Sequence, residues 1–167
     1  MKWIDPEKTW SFSFTVLGEP VTQGSMKIIN GHAVPVKQAE LRLWRREVLR
    51  SATQAHYGQR IATPLPLNEP VALDARFYLR RPNLPTFEDA ATRPDLDKLV
   101  RSIDDGLAPL HGHKVLREDS RVIAINASKE YAKTNRVGDP EGPRAEITIY
   151  WFKNWKKGRR KKGNGRP

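Results

Sequence analysis

The feature that most restricts the fold is a strict alternation of apolar and polar residues in two separate segments. Every second residue is apolar in VALDARFYL, residues 71–79. The same pattern occurs in WSFSFTVL, residues 10–17, where Trp10, Phe12, Phe14 and Val16 share one face. Successive side chains of a strand point to opposite faces, so such segments bury one face and expose the other. The alternation therefore predicts half-buried strands whose apolar face other elements must cover.

Two further segments have apolar residues at helical spacing and can supply that cover. Residues 38–58 carry a stripe at three- and four-residue steps, and Gly58 suits a helix end; its members are Leu41, Trp44, Val48, Ala52 and Ala55. Residues 95–107 carry a second stripe, at positions i, i+3, i+4, i+7 and i+11 of one face of an amphipathic helix; its members are Leu96, Leu99, Val100, Ile103 and Leu107.

The order of the predicted elements indicates the fold class. Residues 121–131 and 144–152 are predicted strands, and Asn30-Gly31 between two short apolar runs predicts a hairpin. The order β, hairpin, α, β, α, β, β is typical of an α+β domain. We expect a single domain over residues 1–152, with a mixed β-sheet and two main helices.

Charge is concentrated at the C-terminus. The chain has a net charge of +11, and residues 153–167, KNWKKGRRKKGNGRP, hold eight Lys and Arg with no acid. This segment is interpreted as a disordered basic tail, either a solubilising end or an arm that binds phosphates. Without it the net charge is only +3, so the predicted domain itself is mildly basic.

Composition also excludes several classes of protein. The chain has no cysteine, which excludes disulfides, thiolate zinc sites and cysteine nucleophiles. No run approaches the roughly 18 apolar residues that a membrane span needs, and the N-terminus lacks the apolar core of a signal peptide. We expect a cytoplasmic protein without a membrane partner or a small-molecule cofactor.

Acid is concentrated in one short segment of this basic chain. Residues 93–107, RPDLDKLVRSIDDGL, contain Asp95, Asp97, Asp104 and Asp105. One interpretation is structural: Asp95 caps the helix and Asp97 complements the positive end of its dipole. The alternative is a metal site. Carboxylates two residues apart converge only when the first lies in extended chain before the helix, and such oxygen ligands suit Mg²⁺.

A third acidic position precedes the strand predicted at residues 121–131. Glu118 and Asp119 lie in VLREDSRVI, residues 115–123. A polar turn started by Asp119 and Ser120 is one interpretation. A further ligand for the same cation is the other.

These two acidic segments together carry a resemblance to a known family. PDLDKLVRSIDDGL followed by LREDSRVIAINASKEY resembles the signature of the RusA family of Holliday-junction resolvases. FTVLGEPVTQGSMK is similar to the first strand and glycine loop of that family, and the resemblance extends over about residues 12–152. It implies a homodimer that cuts four-way DNA junctions with Mg²⁺, for which Mn²⁺ substitutes.

The resemblance also implies site residues. Asp95, Asp97 and Asp119 match the metal ligands of the family. Arg101 stands where the family usually has a catalytic lysine; arginine does not donate a proton near neutral pH but can stabilise phosphate charge. Lys98 is a candidate for a partial substitute. Asp105 is expected to orient Arg101 four positions before it, while Asp104 is interpreted as surface charge.

Several basic residues are candidates for contact with DNA. Arg45 and Arg46 lie off the apolar stripe of residues 38–58, and either a solvated face or a backbone contact explains them. The glycine loop of residues 18–25 is less basic than is usual in the family, so the tail is expected to compensate. The other candidates are Lys27, Lys156, Lys157, Arg159, Arg160, Lys161 and Lys162.

Two other functions fit the same residues. A non-catalytic nucleic-acid-binding protein on the same fold would explain Arg101 and the weakly basic glycine loop. A nuclease with a broader preference for flaps and branches would use the same carboxylates.

Overall fold

The structure is a computed structural model that describes residues 5, 7–22, 26–29, 32–35 and 38–153. The described residues form six strands, two α-helices and one short 3-10 turn. The strands are β1 (Thr9–Leu17), β2 (Met26–Ile29), β3 (His32–Pro35), β4 (Val71–Leu79), β5 (Val122–Tyr131) and β6 (Arg144–Phe152). The helices are α1 (Gln38–Gly58) and α2 (Leu96–Leu107), and the 3-10 turn covers Asp119–Arg121.

Four strands form one mixed sheet in the order β1-β6-β4-β5. β6 pairs antiparallel with both β1 and β4, whereas β4 and β5 pair in parallel. A parallel pair needs a crossover connection, and α2 supplies it, because it lies between these two strands in the chain. The predicted α+β fold, with a mixed sheet and two main helices, is confirmed.

The core lies between one face of this sheet and the two helices. Apolar side chains that alternate along β1, β4 and β6 are buried together with the stripes of α1 and α2, as the patterns predict; they include Phe12, Phe77, Ile147, Val48 and Ile103. Trp10 differs from its prediction, because it is 52% exposed. It lies at the end of β1, where Lys153 Nζ lies 4.7 Å from its ring centroid.

The two helices pack closely against each other, which fixes the position of α2. Trp44 Nε1 donates a buried hydrogen bond of 3.2 Å to Ser102 Oγ. Gly106 allows the approach, since a Cβ atom there would lie 3.1 Å from Val48. Apolar packing and one buried hydrogen bond therefore hold α2 against α1, in addition to the contacts of its charged residues.

β2 and β3 form a separate antiparallel pair, which confirms the predicted hairpin. The Asn30-Gly31 turn lies outside the described residues, so its type stays a prediction. Residues 23–25 of the glycine loop and residues 154–167 of the tail also lie outside the described residues. What the sequence predicts for them stays a prediction. Within the part of the chain that the structure describes, no helix is long and apolar enough to cross a membrane.

Candidate active site

The crossover from β4 through α2 to β5 carries the predicted acidic residues. Asp95 immediately precedes α2 and Asp97 lies in its first turn. Asp119 begins the 3-10 turn that leads into β5, and this turn packs against α2. One structural unit therefore presents all three carboxylates.

Asp95 does not cap α2 with its side chain. Its backbone is extended, at φ −71° and ψ 139°, and no side-chain cap hydrogen bond is formed. Instead its Oδ2 accepts a 2.6 Å hydrogen bond from Lys98 Nζ. The capping interpretation is thus wrong, while the extended backbone that convergence with Asp97 requires is present. The hydrogen bond and charge of Lys98 lower the pKa of Asp95, so this carboxylate is ionised at neutral pH.

Lys129 of β5 holds the backbone that leads into Asp95. Its Nζ donates hydrogen bonds of 2.7 Å to the Thr92 carbonyl and 2.8 Å to the Pro94 carbonyl. Its charge also contributes to lowering the pKa of Asp95, after the effects of Lys98 and Arg93. No local pattern indicates this role, because Lys129 lies 34 residues from Asp95 in the chain and reaches the Thr92 and Pro94 carbonyls only through the parallel pairing of β5 with β4.

The other predicted residues of α2 are accessible. Asp97 and Arg101 are exposed, one helical turn apart. Lys98 is partly exposed and is bound to Asp95. These side chains therefore face solvent, where a polyanionic substrate can reach them.

The segment before β5 is held by local hydrogen bonds. Asp119 Oδ1 accepts a 2.7 Å bond from the Ser120 backbone N–H, and Glu118 Oε2 accepts a 3.1 Å bond from the Ser120 hydroxyl. Glu118 also lies 3.4 Å from Arg121 Nη2. Asp119 is exposed, so it keeps oxygen lone pairs available to a ligand.

Asp104 is not surface charge, and that interpretation was wrong. Its Oδ1 is buried without a hydrogen-bond partner among the described residues. Burial, together with the charges of Asp105 and Asp119, raises its pKa to about 7. It lies two turns after Asp97, which puts both on one side of the helix. The seven-residue spacing of Asp97 and Asp104 was the one sign in the sequence that Asp104 lies on the same side of the helix as a candidate ligand.

Asp105 has a different partner from the one expected. Its Oδ2 accepts a 2.5 Å hydrogen bond from Arg45 Nη2 of α1, because the close packing of the helices brings Arg45 beside it. Asp105 therefore joins α2 to α1, and its proposed contact with Arg101 was wrong. Arg45 correspondingly serves the fold, while Arg46 is exposed. The Lys27 side chain and the basic residues 156–162 lie outside the described residues.

The structure brings some of these acids together and leaves others apart. Asp119 lies within electrostatic reach of Asp104, and Asp95 is engaged by Lys98. Within the described ranges, no three His, Asp or Glu side chains are grouped closely enough to hold a metal ion. The ligand set of Asp95, Asp97 and Asp119 thus stays a prediction.

The chemistry of the donors nevertheless fits Mg²⁺. Every candidate ligand is a carboxylate oxygen, and the orphaned Asp104 Oδ1 adds an unpaired acceptor beside Asp119. Mg²⁺ is usually held by one or two carboxylates, several waters and the phosphates of the substrate. It does not require a preformed protein cage of three or more ligands.

Comparison with known proteins gives two matches. A family model described as "Endodeoxyribonuclease RusA" matches residues 18–150. A protein of Bacillus subtilis (strain 168) described as "Uncharacterized protein YqaN" is 30% identical over 138 residues. That match covers 74% of this chain and 90% of the Bacillus protein. The matched residues include both acidic segments and the loop between them.

Proposed function

Because this chain belongs to the RusA endodeoxyribonuclease family, we propose that it resolves four-way DNA junctions by Mg²⁺-dependent hydrolysis of phosphodiesters. The observation that carries the proposal is the state of Asp95. It precedes α2 in extended conformation, is ionised beside Lys98 and is not used as a cap. A carboxylate that serves only the helix would be bound to the free N–H groups of the first turn.

The proposed site uses residues of the crossover unit. Asp95, Asp97 and Asp119 would hold the cation, which supplies a nucleophilic water and charge stabilisation when bound. Arg101 donates hydrogen bonds to the non-bridging oxygens of the phosphate that is cut. Lys98 holds Asp95 in its ionised form. Two cuts in one junction require two sites, so we further propose that the protein acts as a homodimer.

Cleavage of defined substrates tests this function. With Mg²⁺, the protein should cut a synthetic four-way junction faster than a flap or a plain duplex, and EDTA should stop the reaction. Equal rates on flaps and junctions would instead assign a broader branch nuclease. Binding without any cleavage in Mg²⁺ or Mn²⁺ would indicate a non-catalytic DNA-binding protein and reject the proposal.

Substitution of Lys129 tests how the site is positioned. Lys129→Met removes both hydrogen bonds to the segment before Asp95, so the Mg²⁺ concentration for half-maximal cleavage should rise. We expect an increase of about 10- to 100-fold, the usual effect of losing a group that orients a metal ligand. Lys129→Arg should recover part of the loss, and Lys133→Met, which removes an exposed lysine nearby, should change nothing. A similar Mg²⁺ dependence for Lys129→Met and wild type would reject the positioning role.

A further inference from the structure

A basic groove runs between α1 and the loop that follows α2. Its volume is about 760 Å³, and Asp119 forms part of its wall. Arg42, Arg45 and Arg46 line it from α1, and Lys114 and Arg117 line it from residues 108–119. We call this feature the α1–loop groove.

The walls of this groove are fixed by contacts within the fold. Thr53 Oγ1 of α1 lies 3.1 Å from His113 Nε2 of the loop. The Val115 and Leu116 backbone N–H groups both donate to the Leu107 carbonyl, at 2.9 and 3.0 Å. Val115 and Leu116 are fully buried. The loop is therefore attached to both helices, and the groove between them has a defined shape.

The charge of the groove selects a polyanion. Five cationic side chains line it against three acids, and one of those acids, Asp105, is already paired with Arg45. The remaining two, Glu118 and Asp119, belong to the segment that the proposed catalytic site uses. Arg42 and Arg46 are exposed, and Lys114 is partly exposed. Cations in such a groove contact the phosphates of a nucleic-acid strand and fix its register without reading sequence.

We infer that the α1–loop groove holds the phosphate backbone of one DNA strand next to the phosphate that is cut. This inference rests on the proposed function, because Asp119, a proposed metal ligand, is the wall residue that places the groove beside the cut phosphate. Arg42, Arg46 and Lys114 contact successive phosphates of the strand. The strand then continues past Asp119 to the carboxylates of α2. The cations of the groove supply the phosphate contacts that the weakly basic glycine loop of residues 18–25 lacks.

Salt-dependent binding tests the groove separately from cleavage. The variant Arg42→Ala/Arg46→Ala/Lys114→Ala should be compared with Arg76→Ala/Lys133→Ala/Arg136→Ala, which removes the same charges elsewhere. Binding of a fluorescent junction is measured in EDTA at several salt concentrations. The slope of log affinity against log salt should become shallower by up to about 2.7 in the groove variant, with about 100-fold weaker binding at 0.1 M salt. Equal slopes in the two triple variants would overturn the inference.

Crosslinking locates the strand. The chain has no cysteine, so Lys114→Cys introduces a single thiol. A junction with one phosphorothioate that carries a thiol-reactive maleimide linker, moved along each strand in turn, should crosslink only near the cut phosphate. Arg136→Cys is the control at a distant loop. Crosslinking by Lys114→Cys that is no stronger than by Arg136→Cys would reject the groove.

The two experiments also distinguish failure of the groove from failure of the nuclease assignment. If the wild-type protein cuts no DNA in Mg²⁺, the proposed function fails, and both assays still report whether a strand occupies the groove. If the wild-type protein cuts junctions and the groove variants bind like their controls, only the groove is rejected.

Discussion

Asp97→Asn should lose Mg²⁺-dependent cleavage of a four-way junction and keep its binding to that junction. The substitution replaces an exposed carboxylate in the first turn of α2 by an amide of the same shape. Metal ions supply several kcal/mol of charge stabilisation, and each 1.4 kcal/mol corresponds to tenfold in rate. We therefore expect single-turnover cleavage to fall by about 10³-fold.

Binding to the junction should persist, because the variant removes a negative charge that faces a polyanion. Anisotropy in EDTA measures this binding, and thermal unfolding verifies the fold. Asp89→Asn, at an exposed aspartate in the loop before α2, is the matched control and should cut like wild type. Equal cutting by Asp97→Asn and wild type would remove Asp97 from the site.

Asp104→Asn should have the largest effect on stability, and the effect should depend on pH. The pKa of Asp104 is raised to about 7, chiefly by burial. In the unfolded chain the group ionises near pH 4. Between these values the native state binds more protons than the unfolded state, so wild-type stability falls as the pH rises through this window.

The amide side chain of the Asp104→Asn variant removes this pH-dependent loss of stability, because an amide does not ionise. At pH 8 Asp104→Asn should be the more stable protein by up to roughly 4 kcal/mol, and at pH 4 the two should differ little. Urea unfolding at pH 4, 6 and 8 in EDTA measures the difference. Asp95 has a lowered pKa and changes stability in the opposite direction, but it is common to both proteins. Parallel pH profiles for the two proteins would show that Asp104 ionises normally in the folded state.

Much of the fold could be predicted because local patterns and tertiary packing agree. The alternation of β4 and the stripe of α2 correspond to buried side chains such as Phe77, Leu99 and Ile103. An extended chain before α2 also followed from the sequence, since Pro94 disfavours a helical conformation for Arg93, and the structure continues this extended chain through Asp95. Trp10 was an exception: it belongs to the alternating pattern but lies at the strand end and is half exposed.

The missed features depend on contacts between distant segments. Lys129 reaches the Pro94 carbonyl only because β5 pairs in parallel with β4. Asp105 meets Arg45 only because α1 packs against α2. Local spacing predicted Arg101 as the partner of Asp105, because the spacing within α2 contains no information on how α1 packs against it. The candidate metal ligands were assigned through the family resemblance, since Asp97 and Asp119, 22 residues apart, do not by spacing alone predict a shared cation.

Direct observation of the cation tests the central claim. Crystals of the protein with a four-way junction and Mn²⁺ should show an anomalous peak beside the cut phosphate. Oxygens of Asp95, Asp97 and Asp119 should lie about 2.1 Å from it, with Asp95 turned away from Lys98. A map with no peak at these residues, or with Asp95 still bound to Lys98 and the peak elsewhere, would contradict the account.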